Sequence, residues 1–128
     1  MLLEARRKAL DAGLANLYFV RGDAQLLPLQ TAVFDGVWSS SGFELYPRLE
    51  QAMTQLTRVA KRGAIVAGDS PVLGGPLLSD LAVRALAPWM PGLRDAPTQL
   101  SLLAAAGLRD LTAVRDGANV RFRGVRAA

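Results

Sequence analysis

Apolar positions along the chain change period several times, and each change marks an element. Residues 1–12 (MLLEARRKALDA) carry an amphipathic helical pattern that ends at Gly13, a residue suited to the left-handed C-terminal cap. Asn16 to Val20 (NLYFV) are aromatic and β-branched and predict a short strand, closed by Gly22 and Asp23. A connection over residues 24–33 contains Pro28. Phe34 to Trp38 (FDGVW) predict a second strand, followed by the loop Ser39-Ser40-Ser41-Gly42. Leu49, Ala52, Met53, Leu56, Val59 and Ala60 then step at three and four residues, the pattern of one buried helix face. Pro47 suits the first turn of this helix and Gly63 its cap, with Lys61 and Arg62 where the helix dipole favours cations. Ala64 to Gly68 form a continuous apolar run of strand length, ending at Asp69; such runs suit a strand covered on both faces. Ser70 to Gly75 read as a loop. Pro76 to Leu86 are helical in spacing and are stopped by Pro88 and Pro91, and Thr98 to Ala106 predict a further helix capped by Gly107. Leu111 to Val114 and Val120 to Val125 flank Asp116-Gly117-Ala118-Asn119, a hairpin turn.

Strands alternating with helices predict an α/β sheet, mostly parallel, with the final hairpin adding an antiparallel strand. Of 128 residues, 51% are hydrophobic, enough for one core and too few for two, so residues 1–128 are expected to form a single domain. The chain has no Cys and no His. Disulfides, thiolate-held metals, a thiol nucleophile and Ser–His chemistry are thereby excluded. The 11 Asp and Glu residues show no clustered ligand spacing, so no metal site is expected. The net charge of +4 comes from dispersed Arg rather than a basic block, which argues against a nucleic-acid partner. No apolar run approaches the roughly 20 residues of a membrane span, and the first residues lack the apolar stretch of a secretory leader. The expectation is a cytoplasmic protein without a membrane partner.

In order and spacing these segments resemble the class I S-adenosylmethionine-dependent methyltransferases, especially the small-molecule branch that includes the ubiquinone and menaquinone enzymes. Phe19-Val20-Arg21-Gly22-Asp23-Ala24 with Leu27-Pro28-Leu29 looks like the family's third strand and adenine-side loop. Phe34-Asp35-Gly36-Val37-Trp38-Ser39-Ser40 resembles its fourth strand. Leu49 to Val59 with Lys61-Arg62-Gly63 resembles the helix and turn that follow. Leu103 to Leu108 with the final hairpin resembles the closing helix and last two strands. On this resemblance the chain is expected to match only the C-terminal portion of the family's domain, as an incomplete Rossmann-like sheet. The family's glycine-rich motif has no counterpart: no two of the 12 glycines stand in a Gly-x-Gly spacing, and Gly74-Gly75 reads as a plain loop.

The resemblance implies S-adenosylmethionine as cofactor, with Asp23 accepting from the adenine amino group beside the Ala24 amide. It places Ser39 and Ser40 against the cofactor and gives Phe43, Glu44 and Tyr46 to the pocket of a small-molecule acceptor. Glu44 is a general base if the acceptor needs one; no residue is assigned as catalytic. Each also has a structural reading. Asp23 suits a turn, Asp35 an exposed position, Asp69 a cap on the next segment, Trp38 and Trp89 the core or an interface, and Arg121, Arg123 and Arg126 a solvent-facing row. The functional expectation is a part of a small-molecule methyltransferase, inactive alone. The alternative is a non-catalytic interaction or structural module on the same fold. A homodimer, or a partner chain completing the sheet, is expected.

Overall fold

The computed structural model describes residues 1–128. Helix α1 (Leu2–Asp11) is followed by β1 (Phe34–Ser40), a 3-10 turn at Phe43–Leu45, α2 (Leu49–Val59) and β2 (Ala60–Pro71). Then come α3 (Leu77–Leu86), a second 3-10 turn at Ala87–Trp89, α4 (Ala96–Ala105), β3 (Leu108–Asp116) and β4 (Asn119–Arg126). The four strands form one sheet in the order β1-β2-β4-β3. β1 and β2 are parallel, crossing over through α2, while β4 runs antiparallel to both β2 and β3. The α/β class and the C-terminal antiparallel hairpin are therefore as expected. Counted by pairings the sheet is mixed, with one parallel pair and two antiparallel ones.

One face of the sheet holds the core. α2 buries Leu49, Ala52, Met53 and Val59 completely or nearly so, which is the stripe its spacing encodes. Leu49 and Met53 pack with Leu103 of α4 against Ala64 and Val66 of β2, Leu108 of β3 and Phe122 of β4. Full burial of a Leu or Met side chain stabilises by about 1.5–3 kcal/mol, so this contact dominates the fold. Asp95 caps α4, its side chain accepting from the Thr98 amide at 2.8 Å. The opposite face carries Trp38, Ile65, Val114, Arg121 and Arg123, all exposed.

Several expectations are corrected. Asn16–Val20 form no strand; all five residues are exposed coil. Their composition favours a strand, but no neighbouring strand lies alongside to pair with them, and a lone strand has unpaired backbone groups. α2 is not capped by Gly63. It passes directly into β2 at Ala60, and Lys61, Arg62 and Gly63 form a looped-out irregularity in that strand, where Gly63 has a φ of +77°. Ser70 is the penultimate residue of β2 rather than loop. Trp38 and Trp89 lie outside the core, 64% and 72% exposed. Arg121 and Arg123 are exposed as expected, but Arg126 turns back and donates to the carbonyls of Arg58 and Ala60. Gly13 adopts the left-handed conformation expected after α1.

Candidate functional site

In a sheet of this kind ligands sit beyond the carboxyl ends of the parallel strands. Here that edge is made by Ser39 and Ser40 of β1 and by Asp69, Ser70 and Pro71 of β2. Ser40 pairs in register with Asp69. Just past β1, Ser41 takes a positive φ of 45°, and its amide donates to the Asp69 carbonyl at 2.9 Å. Its hydroxyl reaches the Asp69 carboxylate at 3.4 Å. Asp69 is thus engaged across the strand ends, not as a cap on the segment that follows.

The chain then drops into the 3-10 turn, which buries both Phe43 and Glu44. Phe43 is stacked on Phe122 with ring centroids 5.5 Å apart, anchoring the turn to β4. Gly92 closes over the turn, its amide donating to the Glu44 carbonyl at 2.9 Å. A side chain at position 92 would collide with the carbonyl oxygens of Phe43 and Tyr46. Glu44, 5% exposed, points inward: its carboxylate accepts from the Ser70 hydroxyl at 3.4 Å. Ser70 in turn accepts from the Gln99 amide nitrogen at 3.1 Å. The Gln99 carbonyl oxygen is buried without a partner.

Tyr46 is half-buried and lies over Gly42. Burial raises its hydroxyl above the usual pKa, and the negative charges of Glu44 and Asp23 add to the rise. Asp23 is exposed and sits in a tight turn, one carboxylate oxygen accepting from the Gln25 amide at 2.8 Å and from the Gln25 side chain at 3.2 Å. Those two bonds, with the Arg48 charge, hold its carboxyl below the usual range. Its second oxygen has only a 3.5 Å contact with Gln25 and is free to accept from a ligand. The Gln25 side-chain oxygen accepts from the Arg48 amide at 2.8 Å, tying this turn to the start of α2.

The fold therefore brings Asp23, Glu44 and Tyr46 into one electrostatic neighbourhood and sets Ser39 and Ser40 at the adjoining strand end. Ala24 is half-buried beside Asp23. Ser70 and Gln99 are functional candidates that the sequence reading missed. A signal for Gln99 exists, since it stands one turn before Leu103 on the buried face of α4. Ser70 gave none, because Ser before Pro reads as a turn.

A polar group for the adenine end of S-adenosylmethionine is present in the free Asp23 oxygen. The rest of that cofactor finds less: the glycine at the end of β1, Gly42, is covered by the Tyr46 ring, whose hydroxyl would lie 2.8 Å from an added Cβ. The residues thus fit one end of the cofactor only.

A parallel β-α-β crossover, a polar carboxyl edge and a closing antiparallel hairpin define a Rossmann-like α/β protein. Residues 1–68 match the family model described as a methyltransferase domain. The chain belongs to that family. It is 36% identical over 88 residues to the fatty-acid O-methyltransferase of Mycolicibacterium smegmatis, covering 68% of this chain and 28% of that protein. To the ubiquinone/menaquinone biosynthesis C-methyltransferase of Brucella anthropi it is 39% identical over 64 residues, 49% of this chain and 24% of that one. The matches thus span about a quarter of the length of these curated relatives.

Among solved structures, the YcgJ protein of Bacillus subtilis superposes with a TM-score of 0.83 at 12% identity, covering 100% of this chain and 79% of that one. A chain of the Haloferax volcanii complex between a methyltransferase and its activator gives 0.82 at 14% identity, covering 100% and 68%. These likenesses establish the fold. They also overturn the expectation of a match confined to the C-terminal portion of the family's domain: all 128 residues align on methyltransferase folds. That expectation rests on the absent Gly-x-Gly motif, a local signal that does not limit how far the backbone superposes.

No helix is long and apolar enough to cross a membrane.

Proposed function

We propose that the chain serves S-adenosylmethionine-dependent methyl transfer to a small-molecule acceptor. The free carboxylate oxygen of Asp23, held ionised beside Tyr46 at the strand ends, carries this reading. In it, Asp23 and the Ala24 amide receive the adenine end, Ser39 and Ser40 line the space between cofactor and acceptor, and Phe43, Glu44 and Tyr46 shape the acceptor side. The cofactor supplies an electrophilic methyl group. The chain's own task is to bind and align, which suffices for methyl transfer without a protein nucleophile. Glu44, hydrogen-bonded to Ser70 in the interior, acts as a base only if the acceptor must lose a proton. The reading includes a second polypeptide along the open edge of β1, either another copy or a separate chain.

A second reading, a non-catalytic module on the same fold, is favoured by one observation: the glycine at the end of β1 is already covered by Tyr46. Titration calorimetry of the 128-residue chain with S-adenosylmethionine separates the two. Methyltransferase function on the incomplete fit described above predicts saturable but weak binding, with a dissociation constant near millimolar, about −4 kcal/mol. Asp23→Ala then weakens it on the order of tenfold or more, as loss of a charged hydrogen-bond partner does. No saturable binding, or binding indifferent to Asp23, overturns the assignment in favour of the module. Labelled-methyl assays on the chain alone are expected to show no turnover.

A further inference from the structure

Asp23 to Leu26 form a turn whose shape is made by its own residues. The Leu26 amide donates to the Asp23 carbonyl at 2.9 Å, and the Gln25 amide to one Asp23 carboxylate oxygen at 2.8 Å. Behind the turn Gly22 lies against the Pro28 ring, whose Cδ would stand 2.7 Å from an added Cβ. These contacts are local. They set the shape of the turn and leave open where it stands in the molecule.

Two side chains fix its place, and both work on α2. Gln25 makes the first link. Its side-chain nitrogen donates to Asp23 at 3.2 Å, while its side-chain oxygen accepts at 2.8 Å from the amide of Arg48, the N-cap of α2. One side chain thus bridges the carboxylate and the start of the helix.

Arg58, in the last turn of α2, makes the second link. A guanidinium has five N–H donors, and in Arg58 each one has a neutral acceptor. Nε and Nη2 donate to the Gln55 side-chain oxygen at 3.1 and 2.8 Å. Nη2 also reaches the Leu27 carbonyl at 3.1 Å, and Nη1 reaches the Leu29 carbonyl at 2.8 Å and the Thr31 hydroxyl at 3.1 Å. The Arg58 carbonyl accepts from the Ala32 amide at 2.9 Å. No acceptor is a carboxylate, so this cation holds chain rather than an ion pair. Arg48 and Arg58 are ten positions apart, about 15 Å of helix. The segment from Gln25 to Ala32 is therefore strapped to both ends of one helix.

We propose that Gln25 and Arg58 are positioning residues for the candidate cofactor site: together they mount the Asp23 turn on α2, and so fix where the free Asp23 oxygen meets the amino group of an adenine. The inference rests on the functional reading above, in which Asp23 receives the adenine end of S-adenosylmethionine. It adds two residues that act through Asp23 without touching the cofactor. A hydrogen bond weakens steeply once its distance and angle are lost. A turn that swings off its mount loses the contact although Asp23 itself is unchanged.

The probe is S-adenosylmethionine, titrated into the 128-residue chain and followed by amide chemical shifts. Gln25→Met keeps an unbranched side chain of similar length and removes both of its polar links, while the backbone amide still serves Asp23. Arg58→Lys keeps the charge and replaces the planar fork with a single ammonium. Both side chains are half-buried, and both variants are expected to fold. Gln25→Met is expected to weaken binding about five- to tenfold and Arg58→Lys at least about twofold, as loss of one or more hydrogen bonds does.

The same two substitutions made in Asp23→Ala separate positioning from plain structural support. With Asp23 gone nothing remains to be positioned, so neither is expected to weaken binding further. A merely structural role costs the same factor in both backgrounds, and that result overturns the proposal. Binding that depends on Asp23 and is untouched by Gln25→Met also overturns it, and leaves the functional reading standing. A parent chain without saturable binding overturns the functional reading and this inference with it. If Gln25→Met fails to fold, Arg58→Lys in the two backgrounds decides alone.

Discussion

Single residues at the strand ends divide into those whose removal leaves a polar partner stranded and those whose removal does not. Ser70 donates to Glu44 and accepts from Gln99 in the interior, so Ser70→Ala leaves both without a partner. That is expected to cost about 1–3 kcal/mol, read as a lowered urea midpoint at unchanged slope. Gln99→Met removes the donor to Ser70 but also an already unpartnered buried oxygen. Its cost is expected to stay below about 1.5 kcal/mol, as volume-conserving changes do. Gly92→Ala drives a methyl group into two backbone carbonyls that cannot yield as a side chain would. Its cost is expected at or above the top of the usual overpacking range of about 1–3 kcal/mol. Of these residues only Glu44 was singled out in the sequence. The hydrogen-bond chain that makes Ser70 consequential joins residues 26 and 29 positions apart, and no local pattern signals such a pairing.

Among the elements, α2 and α4 carry the fold while α1 and α3 ride on it. α3 has helical spacing in its leucines, yet Leu77, Leu78 and Leu81 are 84%, 82% and 64% exposed and only Val83 is buried. Leu78→Lys is expected to change stability by no more than about 0.5 kcal/mol. Leu103→Ala, on the fully buried face of α4, is expected to cost about 2–5 kcal/mol. Thermal or chemical unfolding of the pair checks the contrast. α1 is held in shape by its own surface pairs, Arg7 with Glu4 and Asp11, each at 2.9 Å, and such pairs contribute little to the whole. Periodicity identified all four helices, because helical hydrogen bonds are local. It did not tell which helical faces find a partner.

At the scale of the molecule, acid stability follows from the carboxylates. Asp23, Asp35, Asp80 and Asp95 all have pKa values below the 3.8 of an unperturbed side chain. The largest causes are the Gln25 amide for Asp23, the Lys61 side chain for Asp35, the Arg84 side chain for Asp80 and the Thr98 amide for Asp95. A carboxylate with a lowered folded value stabilises fully above its unfolded value and loses that contribution as pH falls through the folded one. Stability is therefore expected to be flat from neutral pH down to about 5 and to decline below about 4, measured by thermal melts in a pH series. Asp35 is exposed and Asp80 only partly buried, so added salt is expected to shrink the effect of the Lys61 pair and, less strongly, that of the Arg84 pair.

The sequence by itself determined the α/β class, the helices, the strands Phe34–Trp38 and Ala64–Gly68 and the closing hairpin. It also singled out Asp23 and, separately, Glu44 and Tyr46 as candidate residues. All of these rest on local periodicity, on turn chemistry or on a family pattern carried in contiguous residues. The tertiary structure alone decided that Asn16–Val20 is coil, that the sheet's pairings are mixed, that Trp38 lies on an open face and that Ser70 and Gln99 join Glu44. The physical reason is common to all four: a strand, a buried polar contact or a covered face exists only when a second segment, distant in sequence, supplies the other half of the interaction.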